Sequence, residues 1–403
     1  MRTIGRIVFL LALGVTMVGS TTMAAPGAAP SPNGRIAFAS FLGDNREIYT
    51  VEQDGTGLRR LTRHVRDDYD PAFSPDGRSI AFVRGATRPE LFLMRSDGGG
   101  VKRLVRWRDG GGFAPSWSPD GSRIVFVSFT NLKTIRPERT AAVALSTPNG
   151  WFYDGPSWSP DGRSLVFTGD PFGGIDEGNV LRIVAEGGRR PRELVPVGAD
   201  GSVAQHPAWS PSGDRVSFVR VSDCGGFCDD RSLWTVGFAG DDARELVTNV
   251  GDFAWSPDGM HFVVLSYRGY TDKPQRQLWE LRIVTATGAL ERQLPLIVRG
   301  LSGTLGLSWQ PRCTTTGGAR GDRLRGGEGG ELVCGFGGPD RLSGGPGRDR
   351  LLGGDGNDSI DARGGGFDVV GCGPGKDAVR ADRADYVGVD CERVTRRSRT
   401  SSP

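Results

Sequence analysis

The chain has 403 residues, of which 37% are hydrophobic and 24% charged, and its formal net charge is +3. This length accommodates two domains of ordinary size, and the composition is that of a folded globular protein. So small a net charge gives no reason to expect a nucleic acid or an anionic membrane as partner. The chain is rich in glycine (63 residues) and proline (25 residues), and these residues are concentrated in particular segments.

The first 24 residues have the pattern of an export signal. Arg2 and Arg6 precede an apolar run from Ile7 to Val18, and small residues follow up to Ala24. This order of a basic start, a short apolar run and small residues is typical of a cleaved signal peptide. No later segment has enough consecutive apolar residues for a transmembrane helix. We therefore expect an exported protein, and the sequence leaves open whether it is periplasmic, cell-surface or extracellular.

All six cysteines follow the signal, and an even number in an exported chain favours disulfide bonds. Fifteen pairings of six cysteines are possible, and proximity in the sequence alone favours pairing each cysteine with its neighbour. The predicted disulfides are Cys224–Cys228, Cys313–Cys334 and Cys372–Cys391.

A repeated motif occupies most of the chain after the signal. Its clearest copies are PAFSPDGRSIAFVR at 71–84, PSWSPDGSRIVFVS at 115–128 and PSWSPDGRSLVFTG at 156–169, with related copies at 207–220 and 253–266. Ser-Pro-Asp-Gly is a turn signal, and the apolar run after it is rich in β-formers, so each copy predicts a β-hairpin. Further strand and turn signals complete about four strands per repeat. A sheet this small buries its faces only by stacking on its neighbours, as in a β-propeller.

The two ends of this region predict how the ring closes. Residues 33–38 are the second half of a motif without its first, and residues 307–311 are a first half without its second. Together they make a sixth motif, as expected if the last strand completes the first blade. We predict an all-β protein with a six-bladed propeller over 33–312.

These hairpins resemble the propeller repeats of the TolB-like family, which also occur in prolyl-oligopeptidase-type enzymes. The resemblance implies either an exported scaffold that binds proteins of the cell envelope or a domain that gates a separate hydrolase.

A second repeat begins near residue 317. Acidic residues recur every nine positions from Asp322 to Asp358, and Asp368 and Asp377 continue the series. Segments 344–352 and 353–361 match the nonapeptide GGxGxDxUx, where U is apolar. The region 317–380 resembles the calcium-binding repeats-in-toxin family, followed by a disulfide-tied cap and a basic tail over 381–403.

That resemblance implies a small parallel β-roll that binds Ca²⁺ through turns two repeats apart. It pairs Asp340 with Asp358 and Asp349 with Asp368, and an inner apolar stack would contain Leu342, Leu351, Ile360 and Val369. The alternative is a glycine-rich roll in which the aspartates serve only as turn residues. The expected metal-site residues are Asp340, Asp349, Asp358, Asp368, Gly345, Gly347, Gly354 and Gly356.

The sequence offers little for catalysis. It has no Gly-x-Ser-x-Gly motif, and its three histidines, His64, His206 and His261, lie between motifs or within a strand, where structural roles are expected. We therefore predict no catalytic residues and a monomeric, non-catalytic binding or scaffold protein. A secreted hydrolase or lyase acting on carbohydrate or peptide in the central funnel remains an alternative. A purely structural protein of the cell surface is another.

The expected docking surface is the propeller face opposite the Ser-Pro-Asp-Gly turns. In a blade with antiparallel strands A to D, the B–C and D–A connections share that face. The sequence predicts long connections there, such as 128–139, 169–179 and 221–232. Variable loops on a rigid frame commonly form binding surfaces. The expected partner is a protein or glycan of the cell envelope.

Overall fold

The structure is a computed structural model that describes residues 33–397 except 42–44, 130, 140, 146–151, 171–179, 186–190, 196–201, 224–228, 271–276 and 301–305. The predicted signal peptide at 1–24 and the pair Cys224 and Cys228 lie outside the described residues. Within the described ranges, no helix has the length and apolar character needed to cross a membrane. Trp107–Asp109 form one turn of 3-10 helix.

The first part of the chain forms six antiparallel sheets of four strands, and five of them contain consecutive strands. The strands of each blade follow one another from the innermost outwards. Blade 1 contains β24 (Leu307–Pro311), β1 (Asn33–Ser40), β2 (Glu47–Val51) and β3 (Arg59–Arg60); blade 2 contains β4 (Asp68–Phe73), β5 (Ser79–Arg84), β6 (Glu90–Arg95) and β7 (Lys102–Val105); blade 3 contains β8 (Phe113–Trp117), β9 (Ile124–Ser128), β10 (Asn131–Ile135) and β11 (Val143–Ala144). Blade 4 contains β12 (Phe152–Trp158), β13 (Ser164–Asp170), β14 (Val180–Ala185) and β15 (Arg192–Val195); blade 5 contains β16 (Val203–Trp209), β17 (Arg215–Asp223), β18 (Asp229–Gly237) and β19 (Arg244–Thr248); blade 6 contains β20 (Val250–Trp255), β21 (His261–Tyr270), β22 (Gln277–Thr285) and β23 (Leu290–Gly300).

The ring closes through β24 and β1, as the sequence predicts. Ile36 pairs with Trp309 and Phe38 with Leu307 in antiparallel register. The indole Nε1 of Trp309 donates a hydrogen bond of 3.1 Å to the carbonyl oxygen of Gly34. The predicted all-β fold of six blades is confirmed.

The same motif position, phenylalanine in five motifs and Val264 in blade 6, fills the space between neighbouring blades. Each of the six is at most 2% exposed, and full burial of such a side chain stabilises the fold by roughly 1.5–3 kcal/mol. Each cluster joins two blades: Phe82 of blade 2, for example, packs with Ala37 and Ile48 of blade 1. The six residues are Phe38, Phe82, Phe126, Phe167, Phe218 and Val264.

The Ser-Pro-Asp-Gly segments form the tight turns predicted for them. In blade 2 the hydroxyl of Ser74 donates to Asp76 at 2.5 Å, and Asp76 accepts a further bond from the backbone N–H of Arg78. Gly77 has a φ of 70°, which only glycine adopts without strain. The aspartates of these turns therefore have local structural partners.

The connection from β9 to β10 corrects one expectation. The sequence predicts a long loop over 128–139, but β9 ends at Ser128 and β10 begins at Asn131, and these two residues pair directly. The apolar Leu132 and Ile135 are buried and extend the sheet through this segment. The expected connection 221–232 is also shorter, because β17 extends to Asp223 and β18 begins at Asp229. The segment 171–179 in blade 4 lies outside the described residues.

The C-terminal part is a parallel β-solenoid of about five turns, with two five-stranded sheets. The first sheet contains β25 (Thr315–Thr316), β27 (Leu332–Gly337), β29 (Arg350–Asp355), β31 (Val369–Gly371) and β33 (Tyr386–Val387). The second contains β26 (Arg323–Arg325), β28 (Arg341–Ser343), β30 (Ser359–Ala362), β32 (Ala378–Asp382) and β34 (Arg393–Arg397). The predicted β-roll is confirmed as a parallel solenoid, and its strands continue past residue 380.

The inner stack of the solenoid contains Leu342, Leu351 and Ile360, as expected, but the fourth member is Val370 rather than Val369. Val370 pairs with Leu351, whereas Val369 pairs with Arg350 on the other side of the strand. The extra residue in this repeat precedes Asp368, so the apolar inner position follows that aspartate by two residues as in the other repeats.

Two of the three predicted disulfides are present. Cys313–Cys334 joins the segment after β24 to the second coil of the solenoid, with the Cα atoms 5.9 Å apart. Cys372–Cys391 ties β31 to the segment before β34, with the Cα atoms 5.2 Å apart.

Candidate functional site

A channel of about 600 Å³ runs along the axis of the propeller, lined by the innermost strand of every blade. In these strands the pairing register shifts just before the motif aromatic, for example between Tyr69 and Ala72 and between Gln205 and Ala208. Such β-bulges redirect side chains and often occur at functional sites.

In blades 2 to 5, the residue three positions before the motif aromatic lies at this bulge. Asp70 and His206 have φ values of 49° and 50° there, a region that residues other than glycine rarely adopt. Both side chains line the channel, as does Asp252 at the equivalent position of blade 6. The six equivalent residues are Asp70, Ala114, Gly155, His206, Asp252 and Gly306.

His206 is the centre of a group of charges that we call the channel cluster, formed by His206, Asp70, Asp154 and Asp252. Its Nδ1 lies 3.4 Å from Oδ1 of Asp252, and its Nε2 lies 3.8 Å from Oδ2 of Asp154. Burial lowers the pKa of His206, but the close carboxylate of Asp252, with the charges of Asp154 and Asp70, outweighs it and raises the pKa to about 9. Burial raises the pKa of Asp70 to about 6 against the opposing charge of His206. At neutral pH the imidazole is protonated and held by carboxylates.

The raised pKa of His206 predicts a pH-dependent contribution to stability. The contribution is fully present below the unfolded value near 6.5 and is lost as the pH rises through about 9. It amounts to on the order of 3 kcal/mol, because one unit of pKa corresponds to about 1.4 kcal/mol. Urea unfolding from pH 6 to 10 should show wild-type stability falling towards that of His206→Gln. Parallel curves for the two proteins would contradict this.

Sequence reasoning missed the channel cluster because it treats His206 as a residue between motifs. One sequence feature indicates the cluster: when the six motifs are aligned, the position three residues before the motif aromatic is Asp or His in three of them. His64 and His261 lie elsewhere: Nδ1 of His64 accepts the N–H of Arg66 at 3.0 Å, and Nε2 of His261 lies 2.7 Å from Oε2 of Glu291.

The solenoid lies across the turn side of the propeller. Residues in or next to its first sheet contact the turns of four blades. The ring of Phe336 lies 3.2 Å from the guanidinium of Arg78 in blade 2, and the hydroxyl of Tyr386 lies 3.5 Å from Asp120 in blade 3. In blade 4, Nη2 of Arg163 donates to the carbonyl of Ala384 at 2.9 Å. In blade 5, the carbonyl of Ser212 accepts a bond of 3.1 Å from Arg348. The turn side of the channel is therefore covered.

One solenoid residue reaches the channel itself. Arg350, at the start of β29, lines the cavity together with the innermost strands. Its Nε is buried and has no hydrogen-bond partner. Burial lowers the pKa of its guanidinium, against the attraction of Asp120. A cationic side chain thus forms the floor of the channel.

The solenoid aspartates form two ladders along its coils, which we call the aspartate ladders. In the first, Oδ1 of Asp358 accepts the N–H of Asp340 at 2.8 Å, and Oδ1 of Asp377 accepts the N–H of Asp358 at 2.7 Å. In the second, Oδ1 of Asp368 accepts the N–H of Asp349 at 2.8 Å, and Asp385 accepts the N–H of Asp368 at 3.1 Å. The structure therefore brings both predicted pairs together.

The other carboxylate oxygen of these residues is buried without a partner, in Asp340, Asp349, Asp358, Asp368 and Asp377. Burial raises the pKa of Asp349 and Asp368 to about 7 and that of Asp358 to about 6. An unpaired polar atom in the interior costs free energy, so binding a proton or a cation at each Oδ2 would relieve that cost.

The surroundings of these oxygens suit a hard cation. A Cβ at Gly353 would lie 2.5 Å from Oδ2 of Asp358 and 2.6 Å from the carbonyl oxygen of Cys372. Two oxygens from different coils thus face one small space that glycine keeps open. Among the described residues, no three His, Cys, Asp or Glu side chains are grouped to hold a metal ion, so a Ca²⁺ here would also need backbone carbonyls.

The expected glycines lie in the turns of the ladders. Gly345, Gly347, Gly354 and Gly356 all have positive φ, from 95° to 144°. A side chain at Gly347 or Gly356 would collide with the carbonyl of the preceding coil. Arg348, next to Asp349, turns away towards Ser212 and the ring of Phe367, so its charge is directed to the propeller.

Six four-stranded sheets around a central channel define the molecule as a six-bladed β-propeller extended by a β-solenoid. The chain belongs to the TolB β-propeller family, because the family model described as the TolB beta propeller domain matches residues 10–213.

Curated relatives share parts of this region. A TolB homologue of Chlorobium luteolum is 35% identical over 28% of this chain and 27% of its own length, and the Tol-Pal system protein TolB of Geobacter sulfurreducens is 43% identical over 12% of this chain and 11% of its own. An uncharacterised protein of Agrobacterium fabrum is 33% identical over 25% of this chain and 38% of its own. The chain thus matches well under two thirds of these relatives. The crystal structure of TolB from Acinetobacter baumannii has a TM-score of 0.56 at 19% identity, over 69% of this chain and 67% of that one, which supports the fold.

Proposed function

We propose that this is an exported, non-catalytic binding or scaffold protein whose propeller docks a protein or glycan of the cell envelope and whose solenoid binds calcium. The observation that carries the proposal is the position of the solenoid. It contacts the turns of four blades and covers that side of the ring, so the opposite face and its channel mouth are the propeller surface left for a partner.

Exposed aromatic side chains support this face as the docking surface. Tyr267 and Tyr270 lie at the end of β21 that points away from the turns, and they are 37% and 53% exposed. Their rings contact each other edge to face, with centroids 5.6 Å apart. Exposed tyrosines of this kind are common in protein and glycan interfaces.

The disulfides support export, because such bonds form and persist in oxidising compartments. Cys313–Cys334 and Cys372–Cys391 both tie the solenoid. The compartment remains part of the proposal: periplasm, cell surface or medium.

Calcium binding is supported by the unpartnered buried oxygens of the aspartate ladders and by the all-oxygen character of their surroundings, which Ca²⁺ prefers. Bound at the ladders, Ca²⁺ would neutralise carboxylates stacked in the solenoid interior. Asp340, Asp349, Asp358 and Asp368 would hold it, together with turn carbonyls.

The alternative of a hydrolase or lyase acting in the funnel is less favoured. His206 is the histidine of the channel, and with a pKa of about 9 it holds its proton at neutral pH and is a poor general base.

The docking proposal is tested by capture from envelope fractions on the immobilised full mature protein. We expect a partner to be retained by the wild type and lost with Tyr270→Ala. Met260→Ala is the matched control, because Met260 is 63% exposed at the opposite, turn-side end of the same strand. Equal loss with both variants, or turnover of a polysaccharide or peptide without any partner, would overturn the docking proposal.

Calcium binding is tested by titrating the full protein, after chelation, in a calorimeter. Saturable uptake of Ca²⁺ is expected, with stoichiometry reduced by Asp358→Asn. If titration with Ca²⁺ gave the same heat as titration with Mg²⁺, or no heat, the solenoid would not be a calcium site.

A further inference from the structure

We propose that the channel is a blind pocket for the free C-terminus of an extended peptide, with Arg350 binding the terminal carboxylate and the channel cluster binding a basic side chain of the same peptide. This inference rests on the proposed binding function and specifies its ligand.

Arg350 provides the anion-binding end of the pocket. It enters the channel from the solenoid, not from the propeller, and its buried Nε has no hydrogen-bond partner. A guanidinium has five donors in a planar fork that matches a carboxylate. A buried donor without a partner is costly, and an incoming carboxylate would satisfy it.

The channel cluster provides the cation-binding end. It contains three carboxyl groups, of Asp70, Asp154 and Asp252, around the single imidazole of His206. Even with His206 protonated, the acidic groups outnumber the base. A lysine or arginine side chain of a ligand would compensate this excess of negative charge.

The distance between Arg350 and the channel cluster matches a short extended peptide. From Asp252 at the bulge to Pro257 at the turn there are five residues of chain, about 16 Å at ~3.3 Å per residue. Arg350 lines the turn-side end of this same channel, so a ligand that contacts both Arg350 and the cluster has to span a distance of this order. Three to four residues of extended peptide span about 10–14 Å. A basic residue about three positions before a free C-terminus therefore fits.

The residues that line the channel can contact the main chain of a peptide. The hydroxyl-bearing Ser116, Ser157 and Ser308 lie among the prolines and aromatics of the six motifs, and all of them line the same cavity. Such a mixed lining gives hydrogen bonds to peptide groups and apolar contact to small side chains. The solenoid across the far mouth stops the peptide at its carboxylate.

The test is calorimetric titration of the full mature protein with three synthetic peptides. They are acetyl-Lys-Ala-Ala-Ala with a free carboxylate, the same peptide as a C-terminal amide, and acetyl-Ala-Ala-Ala-Ala with a free carboxylate. We expect the first to bind at least about tenfold more tightly than either of the others, since each loses one charge-assisted contact.

Two variants assign the contacts. Arg350→Gln should remove the preference for the free carboxylate over the amide, and Asp252→Asn should remove the preference for lysine over alanine. Arg348→Gln is the matched control: it is a solenoid arginine two residues away that contacts Ser212 outside the channel, and it should leave both preferences unchanged.

Equal affinity of the acid and the amide for the wild type, or no binding of the acid in the millimolar range, would overturn the inference without relying on any variant. Retention of an envelope partner by Arg350→Gln as strongly as by the wild type would place that partner elsewhere. The docking proposal would then be kept, and the channel would be rejected as the site at which that partner binds.

Discussion

Replacing Trp309 with alanine is expected to lower the free energy of unfolding by about 3–5 kcal/mol, the cost of a large cavity in a packed core. Trp309 is 5% exposed and packs with Ile36 and Trp279, so it joins blade 1 to blade 6. Its indole also donates to Gly34 across the closing pair of strands. Urea unfolding followed by far-ultraviolet circular dichroism measures the loss.

Met260→Ala is the control for this prediction, because a largely exposed side chain away from the core changes stability by no more than about 0.5 kcal/mol. A loss below about 1 kcal/mol for Trp309→Ala would mean that β24 contributes little to closing the ring.

Replacing Asp358 with asparagine is expected to stabilise the protein without calcium and to lose that advantage when calcium is present. In calcium-free buffer the variant should be more stable by about 1–3 kcal/mol, because the amide oxygen can still accept the N–H of Asp340 while the buried unpaired charge is removed. With calcium at about 100 times its dissociation constant, the wild type gains about 2.7 kcal/mol, and a variant lacking the ligand loses that gain.

The matched control is Asp361→Asn, three residues away. The Asp361 carboxylate is held by the guanidinium of Arg363 on the outer side of the solenoid, so calcium should not alter the effect of its replacement. An effect of Asp358→Asn that has the same size and sign in both buffers would mean that the aspartate ladders are not calcium sites.

The parts of the fold that depend on a repeating pattern could be predicted from the sequence. The split motif at 33–38 and 307–311 predicts the closing pair because each half lacks its partner. The nine-residue period places Asp340 beside Asp358, and the pair Asp349 and Asp368 survives the inserted residue. Periodicity therefore determined the blades, the turns and the coils.

Features that depend on one residue or on contacts between repeats could not be predicted in this way. Counting nine residues from Ile360 ignores the insertion and gives Val369, whereas counting two residues from Asp368 gives Val370, which the inner stack contains. Arg350 is one arginine among many in the solenoid, and only its contact with the channel distinguishes it. The docking of the solenoid on the propeller involves no repeated pattern at all.

The seam between β24 and β1 also has a consequence for biosynthesis. The first blade lacks its innermost strand until Leu307–Pro311 has been made, and until then β1 presents an unpaired edge. Such an edge readily accepts a strand from another molecule. A chain interrupted before Leu307 should therefore associate with other copies, and two complete chains could form an intertwined dimer by exchanging β24 and the solenoid that follows it.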